Sequence, residues 1–174
     1  MGRAASSTVW TGVRLWTAGC SDGSVARVAG MTTPPLAQVP VRSAAELTQR
    51  WADLLDPPVF AARSLWLSWL YEDGTALPVV MPVDDVPRVP DPPTLRGLVH
   101  LHEAVAEHSP CITHLAMALC RPGHAVVTAG DDEWAEGLHT VLDGGIGSSW
   151  SLHLAAGGRV VPVVEPTTWR PPTG

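Results

Sequence analysis

The residues with chemical potential gather between positions 115 and 138. There an apolar run ends in Arg121-Pro122-Gly123, and Thr128 and Asp131 follow at a spacing of three. A carboxylate and a hydroxyl at the start of a helix could hold a metal ion and steady a transition state. Zinc hydrolysis needs about three protein ligands and a water made acidic by the ion. One Asp does not supply that set. The end of the run offers Leu119, which has no donor atom, and Arg121, which repels a cation. The expectation is a strand-loop-helix joint without metal, cofactor or assigned catalytic residue. The sharper hypothesis has the Arg121 guanidinium supply the missing positive charge by pairing with Asp131. The plainer reading, and the one expected, is a solvated Arg121 and an Asp131 that only serves a helix N-terminus.

Other reactive side chains are weaker candidates. His124 lies in the loop, where it is expected to be exposed and a possible pocket neighbour. Cys111 and Cys120 flank an apolar run and are expected to be buried, inert thiols. A nucleophilic Cys120 is the sharper alternative, but no spacing selects a partner for it. No CxxC pair exists, which speaks against a zinc ribbon. His100-Leu101-His102 is a literal His-x-His, but on a helix residues i and i+2 point about 200° apart and cannot grip one ion. His114, in a strand, is expected to pack. The stretch 82–93 is read as a solvated acidic loop with Asp84, Asp85 and Asp91. Gly144-Gly145-Ile146-Gly147 follows a helix and so terminates it rather than cradling phosphate.

The elements that must position these residues follow from periodicity. Ser43 and Glu46 form a capping box, and Leu47, Trp51, Leu54 and Leu55 recur at helical spacing until Pro57 and Pro58. Residues 64–71 alternate with apolar side chains on both faces, which predicts a central strand. A turn at Glu72-Asp73-Gly74 leads to a second strand over 76–81. A helix is predicted over 94–108, a strand over 112–119 and a helix over 131–143 with Trp134, Leu138 and Leu142 inward. Strands over 150–154 and 159–164 close the series around Gly157-Gly158. The order α-β-β-α-β-α-β-β predicts an α/β domain at the α+β boundary, a mixed sheet flanked by helices.

The chain has 174 residues, enough for one domain with a real core. Residues 1–38 read as a disordered extension, with Met31 an alternative start; 39–164 read as the globular domain and 165–174 as a Pro-rich tail. All 11 basic residues are Arg, which reads as codon bias. The net charge of −6 weighs against a broad nucleic-acid surface. No apolar run approaches the ~20 residues that span a bilayer, and Arg14 interrupts any signal-like segment. No membrane partner and a cytoplasmic location are therefore expected.

With this element order and this loop, the chain resembles a RadC-type JAB domain of the JAMM/MPN superfamily, whose fold is deaminase-like, a three-layer sandwich. The family motif has an upstream Glu, then His-x-His-Pro-Ser-Gly, then Ser-x-x-Asp. The resemblance spans residues 40–164. It places Leu119 and Arg121 at the two histidines, Thr128 at the Ser, Asp131 at the Asp, and Ala62 or Arg63 near the Glu. Only Thr128 and Asp131 keep the family chemistry. The resemblance implies a metal-free pseudoenzyme acting as an interaction or regulatory module, with another protein as partner. The competing expectation is a hydrolase or transferase with a non-zinc mechanism built on the loop after the 112–119 strand. A nucleic-acid accessory role is opposed by the charge.

Overall fold

The computed structural model describes residues 35–166. A short helix α1 (Pro35–Gln38) precedes α2 (Ala44–Leu54), the hairpin β1 (Ser64–Tyr71) and β2 (Ala76–Asp84), α3 (Pro92–His108), β3 (Ile112–Cys120), α4 (Ala129–Leu142), β4 (Ser149–Ala156) and β5 (Arg159–Val164). The protein is α/β, with one five-stranded mixed sheet in the order β2-β1-β3-β4-β5. β1 runs antiparallel to both β2 and β3; β3 and β4 are parallel, and β5 returns antiparallel to β4. The predicted extension, 1–38, falls almost wholly outside the described residues, as does most of the tail with Trp169.

Helices cover both faces of the sheet. On one face Leu65, Leu67 and Trp69 of β1 and Leu115, Met117 and Leu119 of β3 pack with Leu95 and Leu98 of α3 and Trp134, Leu138 and Leu142 of α4. On the other, small side chains at Ala116, Ala118 and Ala155 leave room for Leu47 and Trp51 of α2. The two-sided apolar pattern of β1 and β3 thus matches their interior positions in the sheet.

Hydrogen bonds of the tryptophans tie elements together. Trp134 Nε1 donates to the carbonyl of Pro87 at 3.0 Å, fastening the β2–α3 connection to α4. Trp69 Nε1 donates to Nδ1 of His102 at 3.2 Å. That leaves the proton of His102 on Nε2, which lies 3.1 Å from the Ser148 hydroxyl. His102 is buried and His100 exposed, so the His-x-His pair does face two ways.

Two expectations change. β2 continues to Asp84, through residues read as loop. It is an edge strand, and an edge tolerates Pro82 because the missing N–H faces no neighbour. Exposed prolines mark both edges, Pro78 and Pro82 in β2 and Pro162 in β5. At α2, Ser43 Oγ accepts the N–H of Glu46 at 3.2 Å, as the box requires. The Glu46 carboxylate, however, accepts from the N–H of Arg42 at 2.7 Å rather than from Ser43.

Candidate functional site

The site forms where the parallel strands β3 and β4 end and α4 begins. The N–H of Arg121 donates to the carbonyl of Ala155 at 3.2 Å, carrying the β3–β4 ladder one residue past β3. The chain then turns at Gly123, whose φ is 95°. Gly157, at φ 53°, sits directly against this turn: a Cβ there would fall 2.7 Å from the carbonyl oxygen of Gly123. The Gly157-Gly158 hairpin turn therefore backs the loop that Arg121 opens.

Arg121 and Asp131 pair, as the sharper hypothesis has it and against the plainer expectation. Nε of Arg121 donates to Oδ1 at 2.9 Å, and Nη2 donates to Oδ2 at 2.7 Å. The remaining donors close the loop onto itself. Nη1 reaches the carbonyls of Pro122 and His124 at 3.1 and 3.2 Å, and Nη2 that of Val126 at 2.9 Å. All five N–H groups of the guanidinium are thereby used. The expectation of a solvated Arg121 does not hold, since the residue is only 6% exposed and Asp131 is 0% exposed.

Asp131 also receives Thr128, from both its N–H and its hydroxyl, each 2.8 Å from Oδ2. Burial alone would push its pKa up. The hydrogen bonds from Arg121 and Thr128 outweigh burial, and the carboxyl ends below its ordinary value. Arg63, just before β1, brings Nη1 within 3.6 Å of Oδ1. Burial lowers the Arg63 pKa, and the attraction of Asp131 only partly restores it. The reading of the sequence placed Arg63 near a family position but assigned it no role. No local signal announces it, because its approach depends on the pairing of β1 with β3.

The other predicted positions separate. Leu119 is fully buried in the apolar core. His124 is exposed and contributes only its carbonyl. Cys120 is buried, and burial pushes its thiol up to about 12. Such a thiol carries almost no thiolate at neutral pH, so it is a poor nucleophile. Cys111 corrects an expectation, for it is exposed: it lies in the turn before β3 rather than in the strand.

A second polar cluster lies under α2 and escaped the sequence reading. On β3 and β4, His114 bridges two hydroxyls, with Nδ1 2.7 Å from Ser149 Oγ and Nε2 2.9 Å from Ser151 Oγ. His153 Nε2 meets Thr48 Oγ1 at 3.0 Å. Thr48 already donates to the Ala44 carbonyl at 3.1 Å, so the His153 ring is the donor. Burial pushes both imidazoles down to about 4, with the neighbouring His153 a lesser contributor at His114. These rings are neutral in the folded protein.

The residues at Asp131 do not fit a zinc ion. The carboxylate is spent on Arg121 and Thr128, and the nearest further groups are guanidinium and hydroxyl. Among the described residues no three His, Cys, Asp or Glu side chains converge to hold a metal. Among them, too, no helix is long and apolar enough to cross a membrane. Comparison with family models, with curated proteins and with solved structures finds no match for this chain.

Proposed function

We propose that this chain is a JAB-like domain of the deaminase-like fold that works without a metal, as a non-catalytic interaction or regulatory module. The observation that carries the proposal is the saturated Arg121–Asp131 pair. It occupies the place where the family resemblance would put an ion, with the charge supplied by the protein itself. Three further points support it. Thr128 and Asp131 meet at one carboxylate oxygen. Arg63, near the position of the family's upstream Glu, closes on the same group. From α2 onward the elements run helix, hairpin, helix, strand, helix, hairpin, a mixed α/β series that supports the reading.

A module of this kind keeps the loop shape and gives up the chemistry. The loop presents Val126 and Val127 to solvent, side chains that serve no core and are free to meet another protein. The test is metal content. Purified chain dialysed first against zinc and then against metal-free buffer is expected to retain only trace zinc by elemental analysis. One zinc per chain, lost in Asp131→Asn, overturns the proposal.

A further inference from the structure

The two faces of the sheet are unequally covered. α3 and α4 share one face, whereas α2 is the main helix on the other, packed over Ala116, Ala118 and Ala155 of β3 and β4. Between α2 and the β1–β2 hairpin a cavity of about 200 Å³ remains. Its wall takes Leu47, Trp51 and Leu54 from α2, Ser68 and Leu70 from β1, and Val80 from β2. Three polar groups interrupt this apolar lining. Arg50 is engaged: its Nη2 donates to the Val39 carbonyl, and Glu46 and Asp53 flank it at i−4 and i+3 on the same helix. The other two are not. Trp51 is 1% exposed, and its Nε1 has no acceptor among the described residues. Ser68 lies opposite Ala116 in the β1–β3 register and so shares the face that α2 covers. Its hydroxyl makes no hydrogen bond with a described residue. The wall thus carries two donors without acceptors.

We propose that this cavity binds a small uncharged molecule, a ring or short branched chain that carries one carbonyl oxygen. Its size sets the skeleton. An apolar cavity of about 150 Å³ holds benzene, so this one holds a six-membered ring with a substituent. The lining sets the charge. Arg50 already has its counter-charges, no other ionisable group lines the wall, and an ion buried there without a partner is costly. The open donors set the polar group. A carbonyl oxygen has two lone pairs and no proton, so it serves the wall without adding an unmatched donor. The apolar remainder of the molecule gives Leu47, Leu54, Leu70 and Val80 the dispersion contacts that an unfilled cavity forfeits. The inference stands apart from the Arg121–Asp131 pair and from the kinship proposed above.

The test uses the full chain, with leucine methyl and tryptophan indole resonances followed by NMR during titration with cyclohexanone, with benzene and with cyclohexanecarboxylate. Cyclohexanone is expected to shift the methyls of Leu47, Leu54 and Leu70 saturably and to move the Trp51 indole N–H. The carboxylate is expected to leave them in place. Ser68→Ala is expected to weaken cyclohexanone ~5-fold, the worth of one hydrogen bond, and to leave benzene unchanged, since benzene brings no acceptor. Val80 pairs with Ser68 across the hairpin, and Val80→Trp places a ring in the cavity on a strand that accepts aromatic residues. That variant is expected to abolish both responses. No saturable shift with cyclohexanone, or equal losses for cyclohexanone and benzene in Ser68→Ala, overturns the proposal. So do methyl shifts that follow protein dilution instead of ligand, which would put a second copy of the chain in the cavity.

Discussion

The Arg63 guanidinium stands 3.6 Å from Oδ1 of Asp131, an oxygen that already accepts Nε of Arg121 at 2.9 Å. One carboxylate therefore answers to two cations from segments far apart in the sequence. Arg63 precedes β1, and Arg121 follows β3. The antiparallel register that sets Ser64 opposite Cys120 brings them together. Asp131 thus fastens the sheet to the first turn of α4.

Removing that charge should be far worse than removing a hydrogen bond. Asp131→Asn keeps the shape but leaves the Arg121 guanidinium buried without a counter-charge. Breaking a buried pair on one side costs about 3–5 kcal/mol. Thr128→Ala deletes one hydroxyl bond and should cost about 1 kcal/mol. Urea unfolding of both variants checks the ranking; equal losses would mean that the pair contributes no more than an ordinary cap.

Stability should fall in mild acid through two buried imidazoles. His114 and His153 have folded pKa values of about 4, against 6.5 for a free imidazole. Between these values the unfolded chain binds more protons than the folded one. Stability is then complete above about pH 6.5 and is lost as the pH falls toward 4, on the order of 1.4 kcal/mol per unit for each ring. Asp131 acts lower. Its pKa is depressed, so its contribution is present above the ordinary carboxylate range and fades only below it. Urea midpoints from pH 7.5 to 4 read the first slope, and His153→Gln should reduce it. An unchanged slope in that variant would place the proton uptake elsewhere.

How much of this was legible follows the range of each interaction. The Arg121–Asp131 pair could be anticipated because one short loop joins its members. The helices announced themselves through caps and apolar spacing, as at Ser43 and Glu46. What stayed hidden depends on register between distant segments. Arg63 reads as a loop residue until β1 is laid beside β3. His114 reads as a packed ring, and only the parallel β3–β4 pairing sets it between Ser149 and Ser151. The end of β2 was misjudged for a different reason: Pro82 argues against a strand in general, yet not against an edge strand.

The two glycines of the last hairpin should differ in a measurable way. Both have positive φ, 53° at Gly157 and 80° at Gly158, so Ala at either carries a backbone penalty of about 1 kcal/mol. At Gly158 a Cβ meets open space, whereas at Gly157 it runs into the backbone of Gly123 and His124. Gly157→Ala should therefore cost clearly more than Gly158→Ala in thermal unfolding. It should also perturb the backbone resonances of residues 121–126, which Gly158→Ala leaves in place. Matching effects would show that the loop does not lean on the turn.

The prolines at the two margins of the sheet carry a consequence for how the molecule associates. Pro78, Pro82 and Pro162 interrupt the outward row of N–H donors on β2 and β5, and a ribbon with gaps in that row is a poor template for a foreign backbone. Donor-strand exchange and stacking of copies into fibrils are disfavoured on both flanks. Recognition by this domain is thereby steered toward side chains, on its helices and at the loop end where Arg63 and Val126 lie.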